Sequence, residues 1–110
     1  MPSIHETAYP RFKSSITQKE LDRYYSPSPA ELALSLRSAN GTTGRLSFLV
    51  LLKTFQRLGY FVLISDVPER LVAHLAKVLE LRKTPSLTDY DDSGTRRRHV
   101  SAIREFLQVK

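Results

Sequence analysis

Five polar side chains near the end of the sequence have the right chemistry to bind a polyanion. All of them lie within "GTRRRHVSAIREFLQVK", residues 94 to 110, and they are Arg96, Arg97, Arg98, Ser101 and Arg104. Guanidinium groups bind phosphate through paired hydrogen bonds, and they can also read the edge of a guanine base. Because a helix turns 100° per residue, three of the five fall in one row, namely Arg97, Ser101 and Arg104, with Arg98 beside them. We interpret this row as a candidate contact surface for DNA, mainly for its phosphates.

The positive charge of this region is not balanced within the region itself. Residues 93 to 110 contain five Lys and Arg side chains against Glu105, which is +4 of the formal net charge of +6. The N-terminus of a helix carries a partial positive charge, so arginines in the first turn reduce helix stability. Two explanations remain open. Asp91 and Asp92 could fold back on the arginines, or the neutralising partner lies outside the chain.

A second basic surface is predicted at Arg37, Arg45, Lys53 and Arg57. The last two are four residues apart and therefore share one face of a helix. The alternative is an ordinary solvated face. Two neighbouring aromatics, Tyr24 and Tyr25, could stack on single-stranded nucleic acid. The stronger interpretation packs this pair against the core with one hydroxyl outward.

No pattern in the sequence predicts catalysis. The histidines, His5, His74 and His99, have no carboxylate at metal-ligand spacing, and the glycines form no phosphate loop. The chain contains no cysteine, which excludes disulfides and thiolate metal sites and fits a reducing compartment. The longest apolar run, "FLVLL", is far too short to span a bilayer. We therefore expect a non-catalytic chain with no metal, no cofactor, no small-molecule substrate and no membrane partner.

The elements that would position these side chains all have helical signatures. "TQKELDRYY" and "SPAELALSLR" each begin with a capping box, Thr17 with Glu20 and Ser28 with Glu31. A turn or loop is expected over residues 38 to 44, followed by a helix over 45 to 59 that is apolar nearly all round and ends at Gly59.

The second half of the chain continues the helical pattern. "YFVLIS", residues 60 to 65, has the composition of a strand but no partner, so we predict an apolar connector against the core. Asp66 and Glu69 would form another capping box, and a last helix would run from about Thr95. The predicted fold is all-α, a small bundle of about five helices resembling a helix-turn-helix DNA-binding domain. Residues 1–15 would form a flexible N-terminal arm, and residues 16–110 the helical domain.

Three segments together resemble the N-terminal region of the Tn-three family of replicative transposases. They are "ELDRYYSPSPAEL", "GRLSFLVLLKTFQRLGYF" and "YDDSGTRRRHVSAI", and the resemblance covers most of the chain from about residue 15. Residues that match the family pattern include Tyr24, Tyr25, Arg45, Gly59 and His99.

The resemblance implies a function and a setting. The chain would be a fragment of a larger protein, the part that recognises the terminal inverted repeats of a transposon by binding double-stranded DNA. The metal-dependent DDE-type strand-transfer domain would lie far downstream, and the remainder of the transposase would be a partner. The location would be cytoplasmic, associated with the bacterial nucleoid. The alternative from another class is a non-catalytic docking or dimerisation module within a large protein.

Overall fold

The computed structural model describes residues 16–39, 41–85, 87, 90 and 94–108. Over these residues the chain folds into five α-helices, which are α1 (Gln18–Tyr24), α2 (Pro29–Ser38), α3 (Gly41–Leu58), α4 (Glu69–Val78) and α5 (Gly94–Leu107). A short 3-10 helix spans Ile64–Asp66, and the described residues contain no strand. The prediction of a small all-α bundle of about five helices is confirmed. The predicted N-terminal arm, residues 1–15, lies outside the described residues, as do Asp91 and Asp92.

The starts of α1 and α2 are fixed by the predicted capping boxes. The backbone N–H of Glu20 donates to Thr17 Oγ1 over 3.1 Å, and the Thr17 N–H donates to the Glu20 carboxylate. Ser28 and Glu31 repeat the arrangement at α2, with Pro29 in the first helical position. Each box satisfies two backbone amides that have no partner inside the helix. These local bonds explain why both helix starts were visible in the sequence.

Helix α3 forms the centre of the bundle and packs against α2, α4 and α5. Every residue from Leu46 to Thr54 is buried, as expected for a helix that is apolar nearly all round. The helix begins at Gly41, so the predicted loop over 38 to 44 is too long. Its first residues, Gly and Thr, are exposed and have low helix propensity, and the buried part of the helix begins at Leu46. At the other end Gly59 adopts a φ of +87° and its N–H donates to the Phe55 carbonyl, which ends the helix as predicted.

The connector between α3 and α4 is extended and partly buried. Val62 and Ile64 face the core at 6% exposure each, so the prediction of an apolar connector is confirmed. The predicted cap at Asp66 is wrong. Asp66 is the last residue of the 3-10 helix, and the residue that precedes α4 is Pro68, which makes no side-chain capping bond.

Two histidines join the outer helices to the rest of the bundle by hydrogen bonds and packing. His74 of α4 is joined to Ser26, just after α1, by a 2.9 Å hydrogen bond between Nε2 and Oγ. His99 of α5 is only 2% exposed, and its Nδ1 lies 2.7 Å from the Tyr90 hydroxyl. The edge of its ring meets Phe48 of α3 at 5.1 Å between centroids. Both side chains therefore act as packing residues that join helices of the bundle.

Candidate nucleic-acid interface

The outward side of α5 presents a row of basic and polar side chains. Arg97, Arg98, Ser101 and Arg104 are all exposed, whereas His99 and Ile103 on the opposite side are buried against the bundle. This is the division that a rotation of 100° per residue predicts. The first turn of α5 contains no acidic residue. The helix therefore exposes its charged side chains to solvent, while His99 and Ile103 pack its other face against the bundle.

None of the exposed arginines of α5 forms an ion pair with a carboxylate among the described residues. Arg98 Nη2 donates to Thr95 Oγ1 over 3.1 Å, a bond within the first turn of the helix. The guanidinium of Arg104 lies 5.6 Å from the centroid of the Phe61 ring. That ring stacks in turn on Phe55 of α3, with centroids 4.2 Å apart. Arg98 and Arg104 are thus oriented by neutral groups.

Arg96, which lies outside the row, differs from the exposed arginines of α5. It is half-buried, and its Nη1 donates to the Val62 carbonyl over 2.8 Å. Its position explains this contact, because residues 96 and 103 are seven apart and therefore share the inner face of the helix with Ile103. Arg96 anchors the connector to α5, a role that the sequence did not indicate.

The second predicted basic surface is not assembled as one face. Lys53 is 8% exposed, and its Nζ lies 3.1 Å from Glu31 Oε1 in a buried ion pair. Its placement on a solvated basic face is therefore wrong, because the side chain turns inward toward a carboxylate of α2. Arg45 is half-buried and donates from Nε to Ser35 Oγ over 3.3 Å. Of the four predicted residues, Arg37 and Arg57 are exposed.

Arg57 is held at the junction of α1 and α3 by aromatic side chains. Its guanidinium lies 4.1 Å from the centroid of the Tyr24 ring, and the guanidinium of Arg23 lies 5.4 Å from the same centroid. Tyr25 is 5% exposed, and burial raises the pKa of its hydroxyl, an effect that the nearby Arg57 partly offsets by its charge and a hydrogen bond. The tyrosine pair is thus packed on the core, as the stronger interpretation held. The position of Arg23 on the Tyr24 ring was not predicted from the sequence.

Other chemistry is sparse in the part of the chain that the structure describes. A groove between the 3-10 helix and α4 is lined mainly by apolar side chains such as Ile64, Val67 and Val72. No group of three His, Cys, Asp or Glu side chains is placed to hold a metal ion among the described residues. Within the same ranges, no helix has the length and apolar character needed to cross a membrane.

The fold and this surface define a class of protein, a small all-helical domain with a basic outer helix. The chain belongs to the family described as a domain of unknown function, DUF4158, whose model matches residues 1–110. It is also 33% identical over 95 residues to the transposase for transposon Tn501 of Pseudomonas aeruginosa. That alignment covers 84% of this chain and 9% of the transposase, so the chain spans less than a tenth of its relative. No solved structure matches the chain.

These comparisons confirm part of the resemblance found in the sequence. Similarity to a transposase is established over most of the chain. The finer assignment, to the DNA-binding N-terminal region of the Tn-three family, stays a prediction.

Proposed function

We propose that this chain is a DNA-binding domain of a transposase, and that it recognises the terminal inverted repeats of a transposon as double-stranded DNA. The observation that supports this most is the exposed row on α5, in which Arg97, Arg98 and Arg104 have no carboxylate partner among the described residues. The similarity to the Tn501 transposase supplies the setting. In this proposal the chain itself is non-catalytic, and strand transfer is carried out by a DDE-type domain elsewhere in the parent protein.

The geometry of α5 suits a helix that enters or borders a groove of DNA. A helix with its side chains is about as wide as the major groove, which is about 12 Å across. Arg97 and Arg98, near the start of the helix, would contact phosphates, and Ser101 and Arg104 would lie further along the groove. Phosphate contacts set the position of a protein on the duplex, and contacts with base edges supply specificity. The helix-turn-helix-like use of α5 is part of this proposal.

The proposed partners follow from this role. Double-stranded DNA at the transposon ends would be the ligand, and the remainder of the transposase chain would dock against the domain. The protein would work in the bacterial cytoplasm, at the nucleoid.

A salt titration of DNA binding tests the proposal. Each phosphate neutralised by a Lys or Arg contributes about −0.9 to the slope of log K against log salt on B-DNA. Contacts from the three exposed arginines of α5 give a slope of about −3. Replacing Arg97 and Arg98 by Gln should make the slope shallower by about 2. The measurement is fluorescence anisotropy with a labelled duplex that carries the inverted repeat.

A matched control is available on another part of the surface. Arg70 of α4 and Arg82, which follows it, are both exposed, and replacing both by Gln removes the same charge away from α5. The control variant should keep the slope of the parent chain. An equal loss in both variants would contradict a specific role for α5. Equal, weak binding to the inverted repeat and to a scrambled duplex would favour the alternative, a docking or dimerisation module.

A further inference from the structure

A second cluster of cationic side chains lies where α1 meets the C-terminal end of α3. We propose that Arg23, Tyr24 and Arg57 form a second contact surface for the DNA backbone, separate from α5. This inference rests on the proposed function, because it names a further surface for the same ligand. We refer to these three residues as the tyrosine clamp.

The clamp places two guanidinium groups on one aromatic ring. Arg57 lies 4.1 Å and Arg23 lies 5.4 Å from the centroid of Tyr24. A guanidinium held near an aromatic ring loses conformational freedom, whereas its N–H groups remain able to donate to an oxygen. Arg57 is further restrained by the neighbouring hydroxyl of Tyr25. Both arginines are exposed, so their donors can reach an anion from solvent.

The guanidinium groups of the clamp are not taken up by ion pairs within the part of the chain that the structure describes. Neither Arg23 nor Arg57 forms an ion pair with a carboxylate among the described residues. Among the acids of α1 and α2, Asp22 accepts a hydrogen bond from Gln18 and Glu31 is paired with Lys53, whereas the charge of Glu20 acts on the neighbouring Tyr25. Two like charges that converge on one ring repel each other, and an anion between them removes that repulsion. A phosphate, with several acceptor oxygens, fits two forked donors.

The clamp and α5 lie on different flanks of α3. Phe55 and Arg57 are two residues apart, so their side chains leave α3 about 200° apart. Phe55 stacks on Phe61, the ring that underlies Arg104 of α5. Arg57 therefore points to the flank of α3 opposite the one that faces Arg104. A duplex touched by both surfaces has to pass across the C-terminal end of α3.

The experiment removes the charges of the clamp and follows the salt dependence of binding to the inverted-repeat duplex. Arg23→Gln combined with Arg57→Gln should make the slope shallower by about 1.8, from two contacts at about 0.9 each. Affinity at about 0.1 M salt should fall on the order of 60-fold, since each contact contributes about eightfold relative to about 1 M salt. A purely structural role in joining α1 to α3 would leave the slope unchanged, and that result would overturn the inference.

Two further variants separate folding from binding. Tyr24→Leu removes the ring and should weaken binding with both charges still present. If thermal melting shows that loss of Arg57 unfolds the chain, Arg23→Gln alone still tests the clamp, with an expected change in slope of about 0.9.

The outcome for the clamp is distinct from that for the proposed function. If the Arg97 and Arg98 double variant loses two contacts and the clamp variant loses none, α5 binds DNA and the clamp is wrong. If neither variant changes the slope, the proposed DNA-binding role itself fails. The Arg70 and Arg82 double variant serves as the charge-matched control for both.

Discussion

Lys53 provides the most direct test of how the core of this domain is built. Its Nζ lies 3.1 Å from Glu31 Oε1, and the two side chains are 10% and 8% exposed. The same carboxylate accepts from the Ser28 N–H over 2.8 Å and from Gln56 Nε2 over 2.6 Å. The change to make is Lys53→Met, which keeps most of the length of the side chain and removes its charge.

The expected loss follows from what remains around Glu31. Removing one partner of a buried ion pair costs about 3–5 kcal/mol, because an unpaired charge stays in the interior. Two neutral donors still serve the carboxylate, so the lower end, about 3 kcal/mol, applies here. A domain of this size has a free energy of unfolding of about 5–15 kcal/mol. The substitution should therefore lower the Tm by about 12–24 °C.

Urea denaturation of four proteins measures this interaction. They are the parent chain, Lys53→Met, Glu31→Gln and the double variant, in which the introduced glutamine still completes the capping box with Ser28. Each single change leaves one charge or polar group buried without its partner, whereas the double change leaves no unpaired charge. The double variant should therefore be more stable than the sum of the two single losses predicts, by about 2 kcal/mol or more.

The pH dependence gives an independent check on the same pair. Burial alone would raise the pKa of Glu31, but hydrogen bonds from Ser28, Gln56 and Lys53 together hold it below its ordinary value of 4.5. In the parent chain this stabilisation is present above pH 4.5 and is lost as the pH falls through the lowered pKa. In Lys53→Met the carboxyl protonates more easily, so the difference in stability should shrink between about pH 7 and about pH 4. A loss below about 1 kcal/mol that does not change with pH would refute a buried pair.

Two other positions give predictions of their own. Glu80 follows α4 with a φ of +62°, a conformation that costs a residue with a side chain about 1 kcal/mol. Glu80→Gly should therefore raise the free energy of unfolding by about 0.5–1 kcal/mol, whereas Glu80→Ala should not. A Gly variant less stable than the Ala variant in urea would contradict this. Burial, with the charge of Arg98, lowers the pKa of His99 from 6.5 to about 4. The free energy of unfolding should therefore be highest above pH 6.5 and fall by up to about 3 kcal/mol toward pH 4. Thermal melts should find this pH dependence reduced in His99→Phe. An NMR titration that gives His99 a pKa near 6.5 would rule it out.

The features that the sequence predicted are those set by neighbours along the chain. The capping boxes at Thr17 and Ser28 use residues three positions apart, and the stop at Gly59 is a single residue. The start of α3 at Gly41 was not predictable in this way, because its first residues are poor helix formers. The turn itself is exposed, and the packing of α3 against three other helices, which no local pattern encodes, begins further along at Leu46.

The candidate site shows the same division. Rotation along a helix separates exposed Arg97 from buried His99 in α5 without knowledge of any partner. Lys53 is buried because it pairs with the carboxylate of Glu31, which lies 22 residues away on another helix. The ring beneath Arg104 comes from the connector, and the ring beneath Arg57 comes from α1. Such contacts join segments that are distant in sequence, so spacing alone could not reveal them.

Helix α5 assigns packing and exposure to different residues. His99 and Ile103 hold it to the bundle, whereas Arg97 and Ser101 make no contact that the core requires. Substitutions at Arg97 and Ser101 should therefore leave the melting temperature of the domain almost unchanged. This makes the helix a suitable scaffold for libraries that randomise the outer positions and select for altered target preference, because most members of such a library would still fold.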